Sequence, residues 1–373
     1  MDWLLRRHLL RRALVWSALT IVGVALFILS APLLALCVLR DLFAGARLGA
    51  TRGVVVLLLF VLMEWLGLLR GGWLWCRYGG PFIDAMGQRQ RFEAANFALQ
   101  RWWADSLWRW SRRILRVRVE VRGSECLRSD RPLLMLVRHA SHADTLLPVH
   151  LLRPLGRDLR FVLKEELLLD PCLDLVGRRL PNAFVSRGGK DSGAQVAAVT
   201  SLIDGVGAKD AVVVFPEGTR VTERKRARVH ERLVARGAVD EAHLAHQLRY
   251  TLPPLRKGPL ALLAARDDLD VVFVAHRGLE VATRLPNLLS GALVDGEITV
   301  NLWRVPAEEV PRQPADLRAF LAAHWLAVDA LAGPLVEERW TLRPELRDWL
   351  SGALTDGVRA RVQHLLVTAS LPR

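Results

Sequence analysis

From Ala13 to Leu39 the chain runs for 27 residues without a charged side chain. As a helix this run is about 40 Å long at ~1.5 Å per residue, more than the ~30 Å of hydrocarbon in a bilayer. A membrane span is the expectation, with Pro32 as the site of a kink. Arg6, Arg7, Arg11 and Arg12 precede it as the basic flank of a signal peptide would. The apolar stretch, however, is far longer than the ~7–15 residues of a signal core, so an uncleaved segment is expected. A second run, Gly53 to Leu69, has 17 residues and contains Glu64. It reads as the other arm of a helical hairpin, with a re-entrant or interfacial arm as the alternative. Glu64 reads as a carboxylate reaching headgroups or water. Arginines before, between and after the two runs favour both ends of the hairpin on the cytoplasmic side. The expected location is a bacterial inner membrane, with the working face toward the cytoplasm.

The run explains how 51% hydrophobic and 24% charged residues coexist in 373 residues: the two kinds are segregated. A mean hydropathy of +0.20 excludes a disordered chain. The length suits about two compact units. A net charge of +14 calls for anionic partners. Cys37, Cys76, Cys126 and Cys172 show neither a CxxC nor a metal-ligand spacing, so no disulfide framework and no metal site is expected. Between Arg101 and Arg113, Trp102, Trp103, Trp108 and Trp110 alternate with arginines. After two membrane segments this pattern reads as a lipid-interface belt rather than a base-stacking surface for nucleic acid.

Beyond residue 115 short β-rich runs alternate with helical ones. Strands are predicted at Val117–Val121, Leu133–Val137, Leu159–Leu163, Ala183–Ser186, Ala211–Phe215, Val271–Ala275 and Glu297–Trp303. Helices are predicted near Ser192–Ile203, Arg224–Arg236, Pro259–Ala265, Ala315–Ala332 and Pro344–Leu366. The fold class expected is α/β: a mixed, largely parallel sheet covered by helices, preceded by an N-terminal hydrophobic helical hairpin. The expected division is a membrane hairpin over 1–80, an amphipathic Trp/Arg-rich connector over 81–116, a main domain over 117–335 and a helical extension over 336–373.

Two constellations can carry chemistry. In Leu133-Leu134-Met135-Leu136-Val137-Arg138-His139-Ala140-Ser141-His142-Ala143-Asp144, a histidine ends a buried strand and an aspartate follows five residues later. On one continuous helix they would point about 140° apart, so a strand-to-helix bend must bring them together. Ser141 and Asp144 fit the S-x-x-D helix start that makes such a bend. A histidine oriented by a carboxylate is a general base able to take a proton from a substrate hydroxyl. His142 reads as a partly exposed loop residue without a role. The second constellation, Val212-Val213-Val214-Phe215-Pro216-Glu217-Gly218-Thr219-Arg220, is a buried strand ending in a tight turn. Ligands of α/β sheets bind outside such strand ends, and an arginine there suits a phosphate.

In this order and spacing, the HxxxxD and FPEGTR runs resemble the glycerolipid acyltransferase superfamily, the 1-acylglycerol-3-phosphate and lysophospholipid acyltransferases. Lys164-Glu165-Glu166-Leu167 with Pro171 and Gly177, leading to Phe184-Val185-Ser186-Arg187, is similar to that family's second block. Pro254-Leu255-Arg256-Lys257-Gly258 and the stretch from Trp303 through Trp325 and Asp329 are similar to later elements of the membrane-bound subgroup. The resemblance implies His139 as catalytic base and Asp144 as its orienting partner. It implies substrate binding by Glu217, Gly218, Thr219, Arg220 and Arg187. The implied reaction is transfer of a fatty acyl group to a lysophospholipid hydroxyl, with 1-acylglycerol-3-phosphate as the leading acceptor. Acyl-CoA or acyl carrier protein is the donor substrate, membrane phospholipid a partner, and no cofactor is bound. Nucleic acid is not an expected partner. The alternative, from another class, is a non-catalytic basic membrane protein recruiting an anionic lipid or protein.

Two positions depart from the family pattern. Arg138 stands where Asn is common, and Phe273-Val274-Ala275-His276 stands where many members have a Pro-containing strand. Arg138 either contacts an acidic acceptor or pairs with a surface carboxylate. The basic stretch Arg220–Arg236 reads as a solvated helix face, with CoA phosphates or anionic lipid as its other possible partners.

Overall fold

The uncharged N-terminal run is split in two. In the computed structural model it forms α1 (His8–Ile28) and the start of α2 (Ser30–Phe43). Pro32 accounts for the position of the break, because its ring removes the hydrogen bond to the carbonyl four residues back, at Ile28. The kink expected at Pro32 is therefore a break between Ile28 and Ser30, which leaves Pro32 in the first turn of α2. Helix α3 (Gly49–Arg77) extends the second run at both ends, to 29 residues. By length and composition, α1 and α3 are each able to cross a membrane.

The structure describes residues 8–186, 192–282, 285–333 and four positions between 344 and 350. Arg6, Arg7, Arg187 and the expected extension 336–373, apart from those four positions, lie outside the described residues. The chain divides into two units. One holds the described residues up to Arg118, Thr145–Ala198 and Val281–Glu297; the other holds Val119–Asp144, Val199–Glu280 and residues from Ile298 onward.

In the first unit, α3 packs against α4 (Arg89–Leu115) and α6 (Pro171–Gly177). Gly67 of α3 makes this approach possible, since a Cβ there would lie 2.5 Å from Cys172 Sγ. Glu64 does not reach water. It is fully buried and accepts the Cys172 amide at 2.9 Å, at the first turn of α6. The Trp/Arg stretch is likewise not simply an interfacial belt. Trp103 and Trp108 are buried in α4, together with Phe92, Leu99 and Leu107 at helical spacing, and only Trp110 is largely exposed. Arg101 pairs with Asp158, and Arg109 with Asp105, within the same unit. Strands β3 (Asp158–Lys164) and β4 (Ala183–Val185) pair in parallel here.

The second unit is built on β2 (Leu133–Val137), whose five residues have no solvent exposure. It lies between β5 (Asp210–Val214) and β6 (Asp270–Arg277), parallel to both; β7 (Glu297–Val305) then runs antiparallel to β6, with β1 (Arg118–Arg122) beyond it. Continuous Val and Leu runs suit strands covered on both faces. Helix α12 (Pro314–Ala332) lies against β6, where Phe320 and His324 meet Phe273. Among the described residues all seven predicted strands are present, and the sheet is mixed and largely parallel. Helix α9 (Val239–Gln247) was not predicted; it follows α8 (Glu223–Ala235), the basic helix, which buries no residue.

Candidate active site

Parallel pairing aligns the carboxyl ends of β5, β2 and β6. Val137 is level with Val274, and Leu136 with Val214. The Phe215–Arg220 turn, His139 and His276 consequently emerge at one edge of the sheet. This is where an open α/β sheet places its ligands.

His139 lies two residues past β2, and Asp144 sits in a short 3-10 turn after it. The bend that the S-x-x-D pattern implies brings them together: His139 Nδ1 is 3.3 Å from Asp144 Oδ2. Asp144 Oδ2 also accepts from the Ala140 and Ser141 amides, and Ser141 Oγ donates to Oδ1 at 2.8 Å. Asp144 is fully buried, which alone would raise its pKa. The His276 and His139 interactions and the Ser141 amide outweigh burial and hold the carboxyl below its ordinary value. An ionised Asp144 fixes the histidine with Nδ1 inward, which leaves Nε2 as the nitrogen able to take a proton. The His139 ring lies against Phe215, centroids 5.0 Å apart.

The backbone carrying His139 is held at both ends of one peptide group. Glu217 Oε1 accepts the His139 amide at 2.8 Å, while the Arg138 carbonyl accepts His276 Nε2–H at 2.9 Å. Glu217 is itself buried, and its Oε2 accepts the Leu252 amide at 2.9 Å. The carboxyl group of the FPEGTR turn thus spends its two oxygens on the scaffold. Gly218 completes the turn at φ +63°, where a Cβ would lie 2.5 Å from Leu255 Cδ1. The Leu255 amide donates to the Pro216 carbonyl at 2.8 Å, tying the Pro254–Gly258 element to the turn. Thr219 and Arg220 are half-buried; Lys225 Nζ donates to Thr219 Oγ1 at 2.8 Å and to the Arg220 carbonyl at 3.1 Å.

The two departures from the family pattern face one another. Arg138 is buried; its Nη1 donates to the His276 carbonyl at 2.6 Å and its Nη2 to the Tyr250 carbonyl at 3.0 Å, with Glu280 3.5 Å away. In return the His276 imidazole donates to the Arg138 carbonyl. Burial and the Arg138 charge hold His276 below its usual pKa against the pull of Asp144, and Nε2 carries the proton given to the Arg138 carbonyl. His276 and Asp329 were not assigned to the site from sequence; only their positions at a strand end and in a late resembling element marked them. Asp329 accepts the amides of Arg249, Tyr250 and Thr251 and the Thr251 hydroxyl, fixing the segment that supplies the Leu252 amide to Glu217. His142 is exposed.

Burial pushes the Glu217 carboxyl up to about 8, against two amides and Arg138 that favour its anion. The folded state thus holds this proton more tightly than an unfolded chain, whose value is ordinary at 4.5. The resulting stabilisation is complete below the unfolded value and is lost as pH rises toward the folded one. Thermal melts between about pH 5 and pH 8 are expected to show a midpoint that falls with rising pH in the native chain and a flatter profile in Glu217→Gln. Equal slopes would contradict this assignment.

Comparison with known proteins bears on the same segment. Residues 118–256 match the acyltransferase family model. No curated protein matches the chain. Among solved structures, the 1-acyl-sn-glycerophosphate (LPA) acyltransferase PlsC from Thermotoga maritima aligns at 17% identity and a TM-score of 0.46, covering 72% of this chain and 92% of that one. The segment with His139, Asp144 and the Phe215–Arg220 turn lies inside the residues that match the acyltransferase family model.

Proposed function

We propose that this protein is a membrane-bound O-acyltransferase moving a fatty acyl group from a thioester, acyl-CoA or acyl carrier protein, to the hydroxyl of a lysophospholipid, with 1-acylglycerol-3-phosphate as the leading acceptor. The observation that carries the reading is the His139–Asp144 pair, with Nδ1 turned to a buried carboxylate, inside the segment that matches the family. His139 Nε2 removes the acceptor's hydroxyl proton as the oxygen bonds to the thioester carbonyl carbon. The tetrahedral intermediate then collapses, the C–S bond breaks and the thiolate takes up the proton. A thioester is already activated, so positioning and a base suffice. Glu217 and Gly218 shape the turn, while Thr219, Arg220 and Arg187 are assigned to the acceptor phosphate. An apolar cleft in the first unit, walled by Trp103, Phe161, Leu163 and Val176, is of the kind a fatty chain fits. Helices α1 and α3 support the membrane location, and the flanking arginines support a cytoplasmic working face.

The test is direct. Full-length protein in detergent, given acyl-CoA and 1-acylglycerol-3-phosphate, is expected to release free thiol in step with the diacyl product seen by mass spectrometry. Absence of thiol release from either donor class, across a panel of lysophospholipids and with anionic-vesicle binding intact, would leave the non-catalytic reading in its place.

A further inference from the structure

The first unit contains a cleft of ≈ 360 Å³ whose charge the proposed reaction does not use. Four guanidiniums line it, those of Arg12, Arg89, Arg178 and Arg179, against one lining carboxylate, Asp84. None of them belongs to the unit that carries His139. Asp174, fully buried next to it, is shared among Arg11, Arg12 and Arg178, so it cannot neutralise all three. Arg179 is the least compensated. Its Nη1 reaches only neutral oxygens, the Gly71 carbonyl at 2.8 Å and Asn96 Oδ1 at 3.4 Å, and among the described residues no carboxylate pairs with it. Burial and the neighbouring Arg12 charge hold its pKa down at about 10, so the cleft repels its own cations. Arg89 meets Asp84 only at 3.7 Å and is largely exposed.

We propose that this cleft is an anion site for a phosphate group, carried on an anionic phospholipid headgroup. Guanidiniums converging without matching carboxylates are the donor set a phosphate satisfies. The remaining walls include Trp75, Phe92 and Leu175, an apolar lining that free phosphate does not need and a lipid's glycerol and chains do. Position agrees. Arg12 is the last charge before the uncharged run of α1, and Trp75, Arg77 and Tyr78 close α3, so the cleft sits where charged and apolar surface meet.

Native mass spectrometry of the full chain in neutral detergent tests the site, with phosphatidylglycerol and inorganic phosphate as separate probes. The native protein is expected to retain phosphatidylglycerol, and Arg89→Glu or Arg179→Gln to weaken that binding by about tenfold or more. Arg89 is exposed, so its variant folds even if loss of the Arg179 contact to Gly71 disturbs the helices. His139→Ala is expected to bind as the native chain does, which separates this proposal from the catalytic one. Arginine-dependent binding of phosphatidylglycerol without competition from inorganic phosphate identifies the headgroup as ligand. Arginine-dependent displacement by inorganic phosphate supports the phosphate chemistry and reassigns its source to the free anion. Binding that is equal in the native and both arginine variants, or no binding of either probe, overturns the site.

Discussion

Replacing His139 with alanine is expected to reduce acyl transfer by about 10²–10⁴-fold while leaving the fold and lysolipid binding intact, the range that removal of a positioned general base produces. The expectation rests on how little else His139 does. Its side chain is 13% exposed, and its polar side-chain contact is with Asp144. The structural bonds of this loop come from the His139 amide and the Arg138 carbonyl, which alanine keeps. Asp144 would keep its Ala140 and Ser141 partners. The loss should therefore appear in kcat rather than in the acceptor KM or the melting temperature. Thiol release from acyl-CoA, with product identified by mass, measures it. Native-like turnover in a folded variant would remove His139 from the mechanism and return the site to the Phe215–Arg220 turn alone.

How much of this is legible in the sequence follows from what each pattern encodes. Buried strands leave an unmistakable trace, because burial on both faces demands continuous apolar residues; Leu133–Val137 was placed to the residue. The His139–Asp144 pair was readable because its geometry is local, set by one bend within six residues. The grip on the Arg138–His139 peptide was not. Glu217 and His276 reach it from two separate parts of the chain, with Leu252 from a third holding Glu217, and nothing in a linear sequence tells a carboxyl group that holds backbone amides from one that meets substrate. Arg138 and His276 illustrate the point. Each looked like an isolated departure, yet each donates to the other's carbonyl, a reciprocal exchange only the β2–β6 pairing makes possible. The Trp/Arg stretch failed for another reason. Residue types there suggest a lipid interface, whereas helical phase marks the buried face, with Phe92, Asn96, Leu99, Trp103 and Leu107 recurring at spacings of three and four.

The second large effect lies farther from the proposed base. Asp329→Ala is expected to destabilise the second unit by roughly 3–5 kcal/mol, the scale of leaving several buried donors without their acceptor. Asp329 is fully buried on α12, and its Oδ1 accepts the Tyr250 amide at 2.7 Å, the Thr251 amide at 2.7 Å and the Thr251 hydroxyl at 2.8 Å, while Oδ2 accepts the Arg249 amide at 3.0 Å. Alanine would strand these donors away from water, each at a cost of about 1–3 kcal/mol if nothing relaxes. For a unit of about this size, the melting midpoint should drop by roughly 6–20 °C. Activity should fall as well, since the Leu252 amide belongs to the segment Asp329 secures and holds Glu217, which in turn holds the His139 amide. Asp329→Asn separates geometry from charge, because an asparagine oxygen in the Oδ1 position keeps three of these bonds and gives up the Arg249 contact at Oδ2. Its loss should be a fraction of the alanine loss, and Thr251→Val, which removes one hydroxyl bond, should cost about 1 kcal/mol. If Asp329→Ala melted and turned over like the native chain, the route from α12 through residues 249–252 to His139 would carry no load, and the site would be held from the β2, β5 and β6 ends alone.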